Sequence, residues 1–224
     1  MKFNHVPHGL PEFKTTRVDG DIRTYIIEKD GDQNEYPSIT TVLGSQDKPF
    51  LKKWVARVGH AEAERIRIQS ANVGTDLHDS IEKYLQDEFN IRSVFPNIAE
   101  LFLSVKPYLD KINNIRLLEG FLFSKTLQIA GTVDCIAEYD GKLSVIDFKN
   151  SRKPKKVDWI QDYVLQCTFY AMAYYELTGN KIEQIVIPIA VWSDDPQLFI
   201  FDIKKENMRK LKEIRDEFKL TRKI

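Results

Sequence analysis

Two aspartates and a lysine near the middle of the chain, Asp134, Asp147 and Lys149, have the types and spacing of a metal-dependent hydrolytic site. Asp140-Gly141 lies between two runs rich in Val, Ile and Tyr, and an Asp-Gly pair in this setting predicts a two-residue hairpin turn. Counting outward from the turn sets Asp134 opposite Asp147, with Cβ atoms about 4.5–5.5 Å apart. Lys149 shares their face because side chains alternate along a strand.

This cluster of opposed acids has two interpretations. Like charges directly opposite each other destabilise a sheet, so a partly buried pair shares a proton or binds a cation. Alternatively, the face is solvated and Lys149 simply neutralises one acid. The neighbouring side chains favour an interior hairpin with a divalent metal site, because they are apolar: Val133, Ile136, Val145 and Ile146.

Polar residues elsewhere in the chain can join the cluster. His78 lies at the edge of a predicted helix, where an ordinary histidine and a metal ligand are both consistent with the sequence. Glu119 falls opposite Asp134 if the turn before the hairpin has four residues; otherwise it is a surface residue of an edge strand. Gln166 and Tyr170, spaced i, i+4 in a mostly apolar helix, are expected to form a hydrogen-bonded pair.

Two segments are candidates for nucleic-acid binding. A basic run follows the proposed site, and it can be a solvated loop or a loop that binds phosphates. Beyond Lys149 it contains Arg152, Lys153, Lys155 and Lys156. In a helix predicted for residues 49–58, Trp54 is either a core anchor or a surface on which bases stack, and Lys53 beside it suits a backbone contact.

Composition is that of an ordinary globular protein of 224 residues, with 42% hydrophobic and 29% charged residues. The net charge of zero gives no support for a nucleic-acid partner, so such a partner requires a local basic patch. No stretch approaches the ~20 apolar residues of a membrane span, and no targeting signal is visible, which predicts a soluble intracellular protein without a membrane partner. Cys135 and Cys167 are too few for a four-thiolate site and are expected to fill apolar space.

The order of elements predicts one α/β domain, 1–224, with a mixed central β-sheet and helices on both faces. Residues 1–36 form an arm with a weak hairpin, and residues 37–113 are mainly helical, with helices at 49–58, 61–71, 75–86 and 96–112. Residues 114–203 contain three antiparallel strands, a helix capped by Asp158, and two more strands. Residues 204–224 form a charged terminal helix.

With this predicted order of helices and strands, the pattern Asp-x12-Asp-x-Lys followed by Gln-x3-Tyr resembles the PD-(D/E)XK nuclease superfamily. It resembles more closely the RecB-like exonuclease branch, which includes mitochondrial genome maintenance exonucleases and phage exonucleases. The resemblance extends from residues 36–40 through residues 74–78 to the helix that carries Gln166, and it implies a restriction-endonuclease-like core. Two departures are Asn150-Ser151, where members often have Thr-Ser, and the absence of the four-cysteine iron–sulfur set of some relatives.

The resemblance implies a metal-dependent DNA exonuclease that acts on single-stranded ends in replication, recombination, repair or turnover of DNA. An endonuclease or flap nuclease of the same superfamily and a catalytically inert nucleic-acid-binding module are the alternatives. The implied ion is Mg²⁺ or Mn²⁺, with ligands from His78, Asp134, Asp147 and the Phe148 carbonyl. Lys149 then positions or deprotonates the attacking water, or stabilises the phosphorane charge. The implied auxiliary residues are Glu119, Gln166 and Tyr170.

Overall fold

The computed structural model describes residues 3–222, which form two β-sheets with helices around them. The first sheet has three antiparallel strands: β1 (Lys14–Asp19), β2 (Arg23–Lys29) and β3 (Asp32–Pro37). The predicted hairpin is confirmed as β1 and β2. The sequence does not predict β3, because its residues 32–35, Asp-Gln-Asn-Glu, lack the apolar alternation that indicates a strand.

A group of helices follows this sheet: α1 (Ile39–Gly44), α2 (Pro49–Val58), α3 (His60–Leu85) and α4 (Pro96–Leu109). The predicted break at Gly74-Thr75 is wrong, because α3 is a single helix of 26 residues. Gly74 lies inside this helix, and a Cβ there would be 3.4 Å from Asn150 Oδ1, an ordinary van der Waals distance. At this point α3 therefore passes close to the strand that carries Asn150.

The rest of the chain forms the second sheet, which has six strands, and two helices that pack on it. They are β4 (Ile112–Ser124), β5 (Ile129–Tyr139), β6 (Lys142–Ile146), β7 (Lys149–Ser151), α5 (Gln161–Thr178), β8 (Gln184–Val191), β9 (Gln197–Asp202) and α6 (Lys205–Arg222). A 3-10 turn at Val157–Ile160 precedes α5, so Asp158 lies in that turn and does not cap the helix as predicted.

Strands β6 and β7 are consecutive parts of one extended segment. Both run parallel to β8 with the same register, in which Ile146 pairs with Val186 and Lys149 pairs with Ile189. Asp147 and Phe148 interrupt the strand pairing, although Asp147 N–H still donates to Val186 O at 3.0 Å. The interruption frees the backbone of Phe148 for contacts outside the sheet.

The register between β4 and β5 agrees with the prediction. The turn between them has four residues, 125–128, and Ser124 pairs with Ile129. Leu118 and Gly120 pair with Cys135 and Val133, so Glu119 lies opposite Asp134.

Helices cover both faces of the mixed sheet, which confirms the predicted fold class. One apolar cluster joins the sheet to α1, α5 and α6, and the other joins it to α3 and α4. Cys135 and Cys167 are free and buried, as expected of apolar fillers. Within residues 3–222, none of the helices has the length and hydropathy needed to span a membrane.

Candidate active site

The turn of the central hairpin sets the two acids together. Strands β5 and β6 pair in the predicted register. Asp140 and Gly141 both have positive φ, 48° and 80°, as a two-residue hairpin turn of this kind requires. The position just beyond the last ladder pair holds Asp134 and Asp147.

Asp147 is the most buried carboxylate of the cluster. Its side chain is 1% exposed, and Lys149 Nζ lies 2.5 Å from its Oδ2. Lys149 is thus the charged partner of this carboxylate, and no other group in the described part of the chain donates a hydrogen bond to either oxygen. Burial raises the pKa of Asp147 to about 6; Lys149 opposes the rise, and Asp134 adds to it. A buried carboxylate oxygen without a donor, here Oδ1, is costly, and a bound cation would reduce that cost.

Lys149 is held as a cation at this position. Burial favours its neutral amine, but the charges of Asp147 and Asp134 outweigh burial and raise the pKa of Lys149 above its ordinary value. Its Nζ also lies 5.2 Å from the ring centroid of Tyr163, at cation–π distance. Sequence reasoning missed Tyr163, although it precedes Gln166 by three residues and Tyr170 by seven, which places all three on one helix face.

The backbone of Phe148 links the hairpin to α3. Its N–H donates to Asp134 Oδ2 at 2.8 Å, and its carbonyl lies 2.7 Å from His78 Nε2. Because a carbonyl can only accept, His78 Nε2 carries a proton, and Nδ1 of the neutral imidazole is then unprotonated. The Phe148 carbonyl, predicted as a metal ligand, is thus engaged by His78 in this arrangement.

The free nitrogen of His78 faces the acids. Its Nδ1 lies 3.7 Å from Asp134 Oδ2 and 3.9 Å from Glu119 Oε1. Burial lowers the pKa of His78, but the attraction of Asp134 and Glu119 outweighs burial, so the pKa is raised. One ligand atom from each of these three residues lies within 4.8 Å of the others.

Glu119 reaches this group from an unusual backbone conformation. Its φ is +46°, in the left-handed region that costs residues other than glycine roughly 1–2 kcal/mol. Strain of this kind is typical of functional sites, where the surrounding structure maintains it. Of the two interpretations that the sequence left open for Glu119, the structure favours membership of the acidic cluster over an unrelated surface position.

Tyr170 fixes the strand that carries Asp134. Its hydroxyl donates to Thr132 O at 2.6 Å, and Gln166 Nε2 donates to the same hydroxyl at 3.4 Å, which confirms the expected pair. A Cβ on Gly131 would lie 3.1 Å from the Tyr170 hydroxyl, so the glycine leaves room for this contact. Gln166 and Tyr170 therefore position β5, and in the described part of the chain neither forms a hydrogen bond to Asp134 or Asp147.

Asn150 is a second residue that sequence reasoning did not assign to the site. Its Nδ2 donates to Ser70 O at 3.3 Å, which ties β7 to α3. This contact helps to hold the helix that carries His78 against the hairpin that carries Lys149.

The predicted nucleic-acid-binding residues lie on two segments. Three residues of the basic run are exposed: Arg152, Lys153 and Lys156. Lys155 is half-buried, and burial lowers its pKa. On α2, Lys53 is exposed and Trp54 is half-buried. Since α2 buries no residue completely, Trp54 is not a core anchor of the kind considered above.

The open side of the cluster faces a cleft of about 470 Å³. This cleft is lined by Gly74, Thr75, His78, Asp79, Glu82 and Glu119. The side chains around it include carboxylates and one imidazole, which suit Mg²⁺ or Mn²⁺. Together with Asp147 Oδ1, which has no hydrogen-bond partner among the described residues, this donor set fits a divalent cation.

A mixed sheet with two acids and a lysine on one hairpin is the arrangement expected of a nuclease. The family model of the PD-(D/E)XK nuclease superfamily matches residues 92–223, which is more than half of the chain. The chain belongs to this superfamily, whose members use divalent metal ions.

Comparison with curated proteins agrees with this placement. The chain is 32% identical over 133 residues to mitochondrial genome maintenance exonuclease 1 of Homo sapiens, covering 55% of this chain and 39% of that protein. It is 31% identical over 137 residues to the same protein of Mus musculus, covering 55% and 39%. The match thus spans about two fifths of the length of these relatives.

Solved structures show more distant similarity. A candidate exonuclease from Eubacterium rectale matches with a TM-score of 0.46 and 12% identity, over 68% of this chain and 65% of that chain. A protein called SSO0001 matches with a TM-score of 0.44 and 15% identity, over 80% and 73%.

Proposed function

We propose that the chain is a metal-dependent exodeoxyribonuclease that hydrolyses phosphodiester bonds at single-stranded DNA ends, with Mg²⁺ or Mn²⁺ as its ion. The observation that carries the proposal is the buried carboxylate of Asp147, which pairs with the cationic Lys149 through Oδ2 and keeps Oδ1 without a hydrogen-bond donor among the described residues. A cation-binding role explains why the fold keeps this charge buried. The exonuclease names of the curated relatives support action at ends.

In this proposal, His78, Asp134 and Asp147 hold the ion, and Glu119 is close enough to His78 and Asp134 to add a ligand, since one donor atom of each of these three lies within 4.8 Å of the others. The ion, when bound, supplies Lewis-acid chemistry that polarises the scissile phosphate and lowers the pKa of an attacking water. The raised pKa of Lys149 favours a protonated ammonium that stabilises charge on the phosphate or orients the water, over a role as general base. The exposed cations Arg152, Lys153 and Lys156 would hold the DNA backbone without regard to sequence. Lys155 and Lys53, which the sequence also suggested for this contact, would lie at its margins.

The direct test is digestion of end-labelled single-stranded and double-stranded DNA in the presence of Mg²⁺ or Mn²⁺. Wild type should shorten the single strand from its ends, and both Asp147→Asn and Lys149→Ala should lose this activity. Asp21→Asn, in the turn between β1 and β2, and Lys14→Ala, on β1, are at exposed positions and serve as the matched controls, which should retain it. Full activity of either hairpin variant would reject the assignment.

Two further measurements separate this proposal from its alternatives. Cleavage of covalently closed circular single-stranded DNA would identify an endonuclease, because such a substrate has no end. Absence of both cleavage and divalent-metal binding in wild type would identify a nucleic-acid-binding module without catalysis. Placement of the activity in replication, recombination, repair or turnover then follows from the polarity and substrate preference found.

A further inference from the structure

Cations of the basic run lie over aromatic rings. Lys149 Nζ is 5.2 Å from the ring centroid of Tyr163, and Lys156 Nζ is 5.5 Å from that of Trp159. Between them, the guanidinium carbon of Arg152 is 5.1 Å from the ring of Trp192. Three cations of the segment that leaves the candidate active site therefore each lie within 6 Å of an aromatic ring.

These rings differ in their exposure. Tyr163 and Trp192 are half-buried, whereas Trp159 is 57% exposed. Val157, two residues before it, is 47% exposed. A single exposed apolar side chain is ordinary on a protein surface. An exposed indole beside a lysine ammonium, in a basic run, has instead the composition of surfaces that bind single-stranded nucleic acids.

The position of Trp159 connects it with the candidate active site. It lies in the 3-10 turn that leads into α5, and Tyr163 follows four residues later, or about one helical turn. Since Tyr163 contacts Lys149, the exposed ring is separated from the proposed catalytic lysine by one turn of helix and one side chain.

A second exposed aromatic residue lies in the same neighbourhood. Lys48 Nζ binds Asp162 Oδ2 at 2.6 Å, which ties the start of α2 to the start of α5. Two residues after Lys48, Phe50 is 69% exposed. Lys52 and Lys53 follow it on the same helix and are also exposed. The start of α2 thus adds an aromatic ring and positive charge beside the turn that carries Trp159.

From this arrangement we propose that Trp159 stacks on an unpaired base of single-stranded DNA while Lys156 binds an adjacent phosphate. The inference rests on the proposed function, because it assigns the side from which the substrate strand approaches Lys149. Stacking requires a base that is not paired, whereas phosphate contacts are the same for single and double strands. Trp159 therefore gives the site a preference for single strands that the basic run alone does not provide.

The experiment measures binding of a short fluorescein-labelled oligothymidylate to the full chain in EDTA, where hydrolysis does not occur. Trp159→Ala should weaken binding about tenfold, within the range measured for loss of base stacking, and Trp159→Phe should recover most of the affinity. Tyr175→Ala is the matched control, because Tyr175 is 58% exposed near the other end of α5. It should bind as wild type does.

Salt dependence separates the two proposed contacts. Lys156→Ala should reduce the slope of log affinity against log salt by about one, because one phosphate contact is lost. Trp159→Ala should leave that slope unchanged. Affinity for a blunt duplex of matched length should fall with Lys156→Ala and stay the same with Trp159→Ala.

Unchanged oligothymidylate binding by Trp159→Ala, equal weakening for duplex, or no binding by wild type would each overturn the inference. Thermal unfolding of each variant checks that the fold is intact, as expected for an exposed position. Hydrolysis by wild type is measured separately in Mg²⁺. A chain that binds through Trp159 but does not cut DNA would reject the proposed function alone, and a chain that cuts normally without Trp159 would reject this inference alone.

Discussion

The two sides of the candidate active site differ in how they are built. On the hairpin side, Asp134, Asp147 and Lys149 have side chains that are 10%, 1% and 19% exposed. On the cleft side, His78 and Glu119 are 28% and 40% exposed. The hairpin side is set by a tight turn, whereas the cleft side is assembled from a helix and a strand that are far apart in sequence.

Because they differ in burial, the two sides are expected to have different roles. Electrostatic interactions are stronger away from water, so the buried hairpin charges can bind an ion and stabilise charge most effectively. The cleft side remains accessible to solvent, and groups there can adjust when substrate enters. Loss of a hairpin residue should therefore reduce activity more than loss of a cleft residue.

Substitution of Lys149 should have the largest effect. Lys149→Ala removes a buried cation beside Asp147, and hydrolysis of single-stranded DNA should fall by about 10²–10⁴-fold. The catalytic constant should account for most of this loss, as measured under saturating DNA. A variant that changes only the Michaelis constant would show that Lys149 binds substrate and has no part in the chemical step.

Loss of the imidazole on the cleft side should have an intermediate effect. His78→Ala removes the hydrogen bond to Phe148 O and a nitrogen that faces Asp134, so activity should fall by about 10–100-fold. His60→Ala, at an exposed position of the same helix, is the control and should leave activity unchanged. A greater loss for His78→Ala than for Lys149→Ala would reverse the comparison between the two sides.

The strained position on the cleft side should show the smallest effect on activity and an opposite effect on stability. Glu119→Gly relieves the positive φ and should raise the free energy of unfolding by up to about 1 kcal/mol, while activity falls severalfold. Glu119→Gln keeps the strain, so activity should fall without a gain in stability. Thermal denaturation and DNA digestion of both variants give these quantities. Lower stability of Glu119→Gly would show that the backbone conformation is not strained.

The hairpin side could be predicted from sequence because it depends on local rules. Asp140-Gly141 determines the turn, the turn determines the register, and the alternation of side chains places Lys149 beside Asp147. The four-residue turn before β5 extended the same reasoning to Glu119.

The other residue of the cleft side, His78, could not be derived in this way. Its position depends on how α3 packs against the sheet, and the sequence suggested a helix break at Gly74-Thr75 because Thr75 can cap a helix. The structure shows one continuous α3, in which Gly74 lies near Asn150, a residue distant in the chain. The interruption of the strand after β6 also could not be predicted from the sequence, since the residue types of Asp147 and Phe148 do not differ from those of a continuous strand.

The exposure of the aromatic residues could not be derived from the sequence for a related reason. The sequence offered Trp54 as either a core anchor or a surface for base stacking; it is half-buried, and Trp159 is the more exposed ring. Exposure depends on tertiary contacts that a helical pattern does not specify. Only the folded chain reveals which tryptophan is available to a base.

Calorimetric titration with Mn²⁺ tests the central claim most directly, because it measures the ion at the acids without relying on DNA. Wild type should bind Mn²⁺ near neutral pH, and Asp134→Asn should abolish binding. Affinity should decline as the pH falls through about 6, because a proton then competes for Asp147. Equal binding of Mn²⁺ by wild type and Asp134→Asn, or no binding by wild type, would contradict the account.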